Sequence, residues 1–197
     1  MKKSNEIVTY ANFQIASVKF KIEGTSPLII HRFSEKATKM IEDKQAKKSK
    51  GGKEARNPEE EYMGGLYFFN DGVRTGFPSG GFKAAMIRAG KQLGYTMTDL
   101  KGWFFIAPDE KETNLVEIIG EHQMRTDMVR IGMGTADVRY RPVFENWGAV
   151  LTINFNNKCI STEQIAELLA LAGFSCGIGD WRPEKSATGS FGTWKLV

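Results

Sequence analysis

Hydrophobic and polar residues alternate strictly over residues 16–23, where the sequence reads A-S-V-K-F-K-I-E. The apolar side chains fall on one side and the charged ones on the other, and this period of two predicts a half-buried strand. Shorter apolar segments between turn residues predict further strands. They lie at residues 28–30, 103–106, 115–119, 149–155 and 193–197.

Two other segments have the spacing of amphipathic helices. In residues 82–94 apolar side chains recur every three or four positions, with Ser79 as the predicted N-cap and Gly94 as the C-terminal stop. Further along, Ser161 and Gln164 have the spacing of a capping box ahead of a second apolar helix. Each helix follows a strand, and a final strand follows the second helix. This order predicts an α+β fold with a ferredoxin-like (RRM-like) core built from a split βαβ unit.

Two segments are predicted to be insertions in this core. Residues 122–145 form two extended arms around Gly132-Met133-Gly134, which predicts a long β-hairpin. Residues 46–60 have almost no apolar side chain that could offset the entropy of ordering, so we expect a flexible basic insertion. The whole chain, residues 1–197, is therefore expected to be a single domain.

The amino-acid composition excludes several classes of protein. Hydrophobic residues make up 41% of the chain and charged residues 25%, which excludes wholesale disorder. Two cysteines and two scattered histidines make neither a disulfide framework nor a zinc cage, so we expect no metal and no cofactor. The start of the chain has no apolar run of a signal peptide, and no segment approaches the roughly 18 apolar residues of a membrane-spanning helix. We expect a cytoplasmic protein without a membrane partner.

The net charge of +4 permits a polyanionic partner without identifying one, so the position of the charges matters more than their sum. The predicted hairpin carries Arg125, Arg130, Arg139 and Arg141. Residues of the same parity on one strand share a face, so Arg139 and Arg141 are expected to project together. A nucleic-acid contact is one interpretation of this set. The other is a solvated face that Asp127 and Asp137 partly neutralise.

A glycine-rich segment, residues 177–192, precedes the last strand and contains Trp181, Arg182 and Lys185. Glycines allow a sugar-phosphate chain to approach the backbone, the two cations pair with phosphate, and the aromatic ring stacks on a base. The alternative is a surface loop with Trp181 packed inside. The spacing of a nucleotide-binding P-loop is absent from the sequence.

Two further basic segments have both a functional and an ordinary interpretation. In the functional interpretation, the start of the first helix offers free backbone N–H groups and nearby cations to a phosphate. In the ordinary interpretation, it is simply a capped helix. Its residues are Ser79, Gly80, Lys83 and Arg88. The lysine run of the insertion has the same two interpretations: it binds the backbone phosphates of a nucleic acid, or it is a solvated linker. Its residues include Lys47, Lys48 and Lys50.

Three motifs together resemble the RAMP superfamily of CRISPR-associated proteins, and among them the backbone subunits that coat guide RNA. The motifs are GTSPLII at residues 24–30, FPSGGFKAAMIR at residues 77–88, and GIGDWR at residues 177–182 with GSFG at residues 189–192. They are similar to the family's strand followed by Pro-Leu, its first-helix start, and its glycine-rich loop before the last strand. The chain also resembles small phage proteins that share P-L-I-X-H-R-F and G-X-W-R-P-E-K-S patterns.

The resemblance implies an RRM-like domain that binds single-stranded RNA or DNA through backbone phosphates with little sequence preference. In that family a protruding basic hairpin closes over RNA as a thumb, which implies the same for residues 122–145. Self-association head to tail into a filament or ring is implied as well, within a CRISPR-type complex or in phage recombination or replication.

Catalysis is the remaining question. His31 is a candidate general base with Ser34 or Tyr62 nearby, as in RAMP endoribonucleases that cleave RNA without a metal, and His122 is a similar candidate. The alternative is a histidine hydrogen-bonded at a strand end, and the catalytic Asp of type III family members has no clear counterpart here. We expect no enzymatic activity, with a metal-independent endoribonuclease and a structural phage protein without a nucleic-acid role as alternatives.

Overall fold

The computed structural model describes residues 13–32, 42, 45–46, 56–131 and 134–197. In chain order, the elements are β1 (Ile15–Gly24), β2 (Leu28–Ile29), α1 (Pro58–Gly64), β3 (Tyr67–Phe68), β4 (Thr75–Pro78), α2 (Ser79–Gly90), α3 (Met97–Trp103), β5 (Phe104–Ala107), β6 (Leu115–Glu117), β7 (His122–Ile131), β8 (Thr135–Phe144), β9 (Gly148–Asn156), α4 (Thr162–Ser175) and β10 (Trp194–Leu196). Most of the insertion predicted at residues 46–60, including Lys47, Lys48 and Lys50, lies outside the described residues.

The main sheet has four antiparallel strands in the order β10-β1-β9-β5. The helix α2 lies between β1 and β5 in the chain, and α4 lies between β9 and β10. The last strand therefore pairs with the first, and the third strand separates the first from the second. This is the split βαβ topology of a ferredoxin-like (RRM-like) core, and the predicted α+β fold class is confirmed.

One face of the main sheet is buried and the other is open. Along β1 the predicted alternation is confirmed: the even-numbered side chains turn inward, and Lys19 and Lys21 are exposed. The inward face packs against α2 and α4 in a core that contains Ile22, Phe82 and Leu168. Burial of these large apolar side chains is the main source of stability for the sheet-helix layer.

The helices differ from the sequence-based predictions at their ends. Helix α2 already includes Ser79, and Pro78 occupies its N-cap without a side-chain hydrogen bond, so the predicted serine cap is wrong. The predicted stop is confirmed, because Gly94 adopts a left-handed φ of 82° after a short 3-10 turn. The capping box of α4 is also confirmed, with both reciprocal hydrogen bonds between Ser161 and Gln164.

Two smaller three-stranded sheets flank the core, in the orders β2-β8-β7 and β3-β4-β6. Strands β7 and β8 form a long antiparallel hairpin whose register places Arg125 opposite Arg141 and Asp127 opposite Arg139. These four charged residues therefore share one face of the hairpin. Within the described residues, no helix has both the length and the apolar content needed to cross a bilayer.

Candidate functional site

The charged face of the β7-β8 hairpin and the glycine-rich loop after α4 enclose a cleft of about 500 Å³. Its lining residues are Val129, Arg130, Arg139, Arg141, Gly179, Asp180, Trp181, Arg182, Lys185 and Ser186. Two basic segments that lie some 40 residues apart in the sequence, and that the sequence suggested as separate sites, thus form the two walls of a single cleft.

The glycine-rich loop can form this wall because its backbone adopts left-handed turns that residues with a Cβ disfavour. Gly192 has a φ of 67°, and a Cβ built on it would lie 1.9 Å from the carbonyl oxygen of Ile178. The two residues are also joined by a hydrogen bond from the Ile178 N–H to the Gly192 carbonyl, 3.0 Å long. At the far end of the turn, the Asp180 N–H donates to the carbonyl of Ile29 at 2.9 Å, which holds the loop against β2.

Arg141 joins the two walls and is almost completely buried, with 3% of its side chain exposed. Its guanidinium donates to Asp127 on the hairpin and to Asp180 on the loop, each at 2.8 Å, and its carbon Cζ lies 4.4 Å from the centre of the Trp181 ring. Arg139 shares its hairpin face but keeps 37% of its side chain exposed. The two arginines share a face, as expected, but only Arg139 is exposed, because two carboxylates hold Arg141 inside.

Arg125 extends this cluster beyond the cleft lining, where it contacts Trp181. Arg125 donates through Nε to the second oxygen of Asp127 at 2.8 Å, and its Cζ lies 5.6 Å from the Trp181 ring and 5.2 Å from the Phe191 ring. Trp181 has a φ of 53°, which is uncommon outside glycine. Its ring packs against Arg141 and Phe191, so its contacts in this structure are cation–π and aromatic.

The remaining cations differ in how far they are neutralised. Arg182 donates to Glu184 at 3.1 Å and to the carbonyl of Gly179 at 2.8 Å, so part of its guanidinium holds the loop in shape. Arg130 and Lys185 are exposed, and neither forms an ion pair with any other residue of the described ranges. These two side chains are the most available partners for an anion at the cleft.

Asp180 is the acidic member of the lining, and it connects His31 to Arg141. The Nδ1 atom of His31 lies 3.3 Å from Oδ2 of Asp180, the same oxygen that accepts from Arg141. Burial would raise the pKa of Asp180, but the hydrogen bonds from His31 and Arg141 outweigh it and hold the pKa below the ordinary value of 3.8. Asp180 is therefore ionised at neutral pH.

The residues predicted at the start of α2 lie apart from the cleft lining. Lys83 donates to the carbonyl of Lys101 at 2.8 Å, and its Nζ lies 3.6 Å from the centre of the Phe105 ring. Arg88 pairs with Glu184 at 2.7 Å and so touches the back of the glycine-rich loop. The N–H of Ser79 donates to the carbonyl of Asn114, and the position of a Cβ at Gly80 is open space.

Sequence reasoning missed the acids that organise this site. The sequence indicates Asp127 only as a partial neutraliser of the hairpin, and it gives no role to Asp180 or Glu184. For Asp127 the sequence does contain a usable signal. It has the same parity as Arg125 on β7, so the two side chains share a face. Among the described residues, no group of His, Cys, Asp and Glu is arranged to hold a metal ion.

Comparison with known proteins gives structural likeness at low sequence identity. No protein-family model matches the chain, and no curated protein matches it. The crystal structure of Cmr6 from Pyrococcus furiosus is similar at 11% identity with a TM-score of 0.46, over 93% of this chain and 99% of that one. A chain of a CRISPR RNA-guided surveillance complex is similar at 12% identity with a TM-score of 0.39, over 90% of this chain and 66% of that one.

Proposed function

We propose that this protein binds single-stranded nucleic acid, RNA or DNA, along the cleft between the hairpin and the glycine-rich loop. The observation that carries the proposal is the convergence of five cationic residues from two distant segments on one cleft whose lining has a single acid, Asp180. A groove with this charge balance attracts a sugar-phosphate chain and gives contacts that depend little on base identity.

The exposed cations are the expected phosphate ligands. Arg130 and Lys185 stand on opposite walls, and Arg139 lies beside them with a weak ion pair to Asp137 at 3.9 Å. A phosphate between the walls would displace little, because these side chains have few competing partners within the described part of the chain. Arg141 has a different role, because its buried guanidinium joins Asp127 on the hairpin to Asp180 on the loop.

The open face of the main sheet is a weaker candidate for the strand. Single-strand binding on an RRM sheet uses aromatic side chains on its central strands. On the central strands here, β1 and β9, the outward-facing side chains include Lys19, Lys21 and Thr152, and none of the outward-facing residues described there is aromatic. Phe105 is exposed, but it lies on the edge strand β5.

A gel shift of labelled single-stranded RNA and DNA across a salt series tests the proposal. We expect both strands to be retarded at low salt, with affinity falling steeply as salt rises, because binding releases counterions. The variant with Arg130→Ala and Lys185→Ala should bind more weakly, and the variant with Lys19→Ala and Lys21→Ala is the matched control on the open sheet. Absence of any shift at low salt would overturn the proposal.

We further propose that the protein assembles along the strand, within a CRISPR-type complex or in phage recombination or replication. The support is the motif resemblance to backbone subunits that coat guide RNA. Head-to-tail contacts between identical chains generate filaments or rings. Size-exclusion chromatography with and without oligonucleotides of increasing length tests this. If the number of protein chains per strand stays at one as the strand is lengthened, the proposal is contradicted.

A second candidate function is metal-independent RNA cleavage, favoured by the contact between His31 and Asp180. A carboxylate beside a ring nitrogen orients an imidazole for proton transfer, and Asp180 of this pair lines the cleft. Denaturing electrophoresis of the RNA after binding is the test. Shortened product that disappears in His31→Ala supports cleavage, whereas an intact strand leaves binding as the function.

A further inference from the structure

Asp180 is the one acidic residue in the lining of a cleft that is otherwise cationic, and its geometry indicates a role. Both contacts of its carboxylate are made by the same atom: Oδ2 accepts from Arg141 at 2.8 Å and lies 3.3 Å from Nδ1 of His31. Within the described residues, Oδ1 has no hydrogen-bond partner. The side chain keeps 36% of its surface exposed and lines the cleft together with Arg139 and Lys185.

The second oxygen of Asp180 discriminates among the groups of a bound strand. An ionised carboxylate only accepts hydrogen bonds and has no proton to donate. It repels a phosphate oxygen at hydrogen-bond distance, although the cations around it attract phosphates elsewhere in the cleft. A group that carries an O–H or N–H donor is therefore the one that fits beside Oδ1.

We infer that Asp180 is a specificity-determining residue of the cleft, and that its Oδ1 accepts a hydrogen bond from a donor group of a bound nucleotide. The inference rests on the proposed function, since it requires a strand in the cleft. The donor is a ribose 2′-hydroxyl or the imino group of a base. A charge-assisted hydrogen bond of this kind adds selectivity to phosphate contacts that have none.

Arg141 and the loop backbone fix this acceptor in place. Asp180 cannot rotate freely, because Oδ2 is held by Arg141 and the backbone N–H is held by the carbonyl of Ile29 at 2.9 Å. Arg141 is itself held by Asp127 at 2.8 Å. An acceptor that is already oriented loses little entropy when the strand binds, which increases its selectivity.

Fluorescence anisotropy with four chemically matched strands tests the inference. The strands are oligouridylate of about 15 nucleotides, the same length of oligodeoxyuridylate, N3-methyl oligouridylate, and the strand with both changes. The deoxy strand lacks the 2′-hydroxyl and the methylated strand lacks the imino donor, so the pair distinguishes a sugar donor from a base donor. We expect the strand that lacks the relevant donor to bind the wild-type protein about tenfold more weakly.

The variant Asp180→Asn should remove this difference. Because Arg141 donates to Oδ2, the amide oxygen of asparagine takes that place and the amide nitrogen stands where Oδ1 was. An acceptor thereby becomes a donor, and the preference is lost or reversed. Asp137→Asn is the matched control, since it removes a negative charge on the hairpin that faces Asp180 but outside the cleft lining. It should change the affinity for all four strands alike and preserve their ratios.

The outcomes separate the inference from the proposed function. Failure of all four strands to bind is a failure of the proposed function itself. Binding without discrimination among the strands, or discrimination that survives in Asp180→Asn, overturns the inference alone. Should Asp180→Asn not fold, Asp180→Glu keeps the charge for Arg141 and displaces the acceptor by one methylene. Undiminished discrimination in Asp180→Glu overturns the inference equally.

Discussion

Arg141 and Asp127 form an ion pair that is almost completely buried, with 2.8 Å between Nη2 and Oδ2 and with 3% and 6% of the two side chains exposed. Arg125 donates to the second oxygen of the same carboxylate at 2.8 Å. Through its other terminal nitrogen Arg141 reaches Asp180 of the glycine-rich loop. The pair therefore lies under the cleft and connects the hairpin to the loop that faces it.

Replacement of Arg141 by methionine should destabilise the protein strongly. Methionine fills much of the volume but leaves Asp127 buried with only Arg125 as a partner, and removing one member of a buried pair costs about 3–5 kcal/mol. Urea unfolding of Arg141→Met measures this free energy. Arg139→Met is the control, because its ion pair is 3.9 Å long and exposed, and such pairs contribute less than about 1 kcal/mol. Equal losses in the two variants would contradict a structural role for Arg141.

The salt dependence of binding should identify the phosphate ligands. Each phosphate contact with a single strand contributes about 0.7 to the slope of log affinity against log salt, so Arg130→Ala and Lys185→Ala should each lower the slope by about that amount. Their effects should be similar for strands of different sequence, because a phosphate carries no sequence information. Lys195→Ala serves as the comparison: it removes an exposed cation that pairs with Glu23 on the open sheet. A slope that stays at the wild-type value in both cleft variants would locate the strand elsewhere.

Local sequence patterns were sufficient for the core elements of this fold. The alternation along β1 and the capping box of α4 depend on residues within a few positions of each other, so periodicity alone reveals them. The helix α3 was missed because its seven residues are too few for an apolar period to stand out. The apolar pattern places its last residue, Trp103, in the following strand, which in fact begins at Phe104.

The site was harder to predict because its geometry depends on contacts between distant parts of the chain. The arginines and the aromatic residue were identifiable from composition, but the burial of Arg141 is set by Asp127, 14 positions away, and by Asp180, 39 positions away. Side-chain parity gave the shared face of Arg139 and Arg141 correctly. It could not show that the loop would cover one of them and leave the other exposed.

The partly buried contact between Tyr62 and His122 should make stability depend on pH. The Tyr62 hydroxyl lies within hydrogen-bond distance of Nδ1 of His122, and burial lowers the pKa of His122 below its ordinary value of 6.5. A depressed pKa in the folded state means that the unfolded chain binds the proton more readily. This contribution to stability is therefore present above about pH 6.5, and it is lost as the pH falls through the folded-state pKa. Unfolding free energies measured between neutral and mildly acidic pH should decline in the wild type and decline less in His122→Gln. Identical pH profiles for the two proteins would rule out His122 as the source.

Alanine substitution at two glycines should have opposite effects on stability, because their surroundings differ. Gly192 has a φ of 67°, and a Cβ there would meet the carbonyl oxygen of Ile178 at 1.9 Å, so Gly192→Ala should cost about 1–3 kcal/mol from the backbone conformation alone. Gly80 lies in the first turn of α2 with no atom within 4 Å of its Cβ position, and Gly80→Ala should stabilise the helix by roughly 0.5–1 kcal/mol. Thermal unfolding of both variants against the wild type measures the two shifts. An unchanged or raised stability in Gly192→Ala would show that the loop does not depend on the left-handed turn there, and a lowered stability in Gly80→Ala would contradict the prediction for the helix.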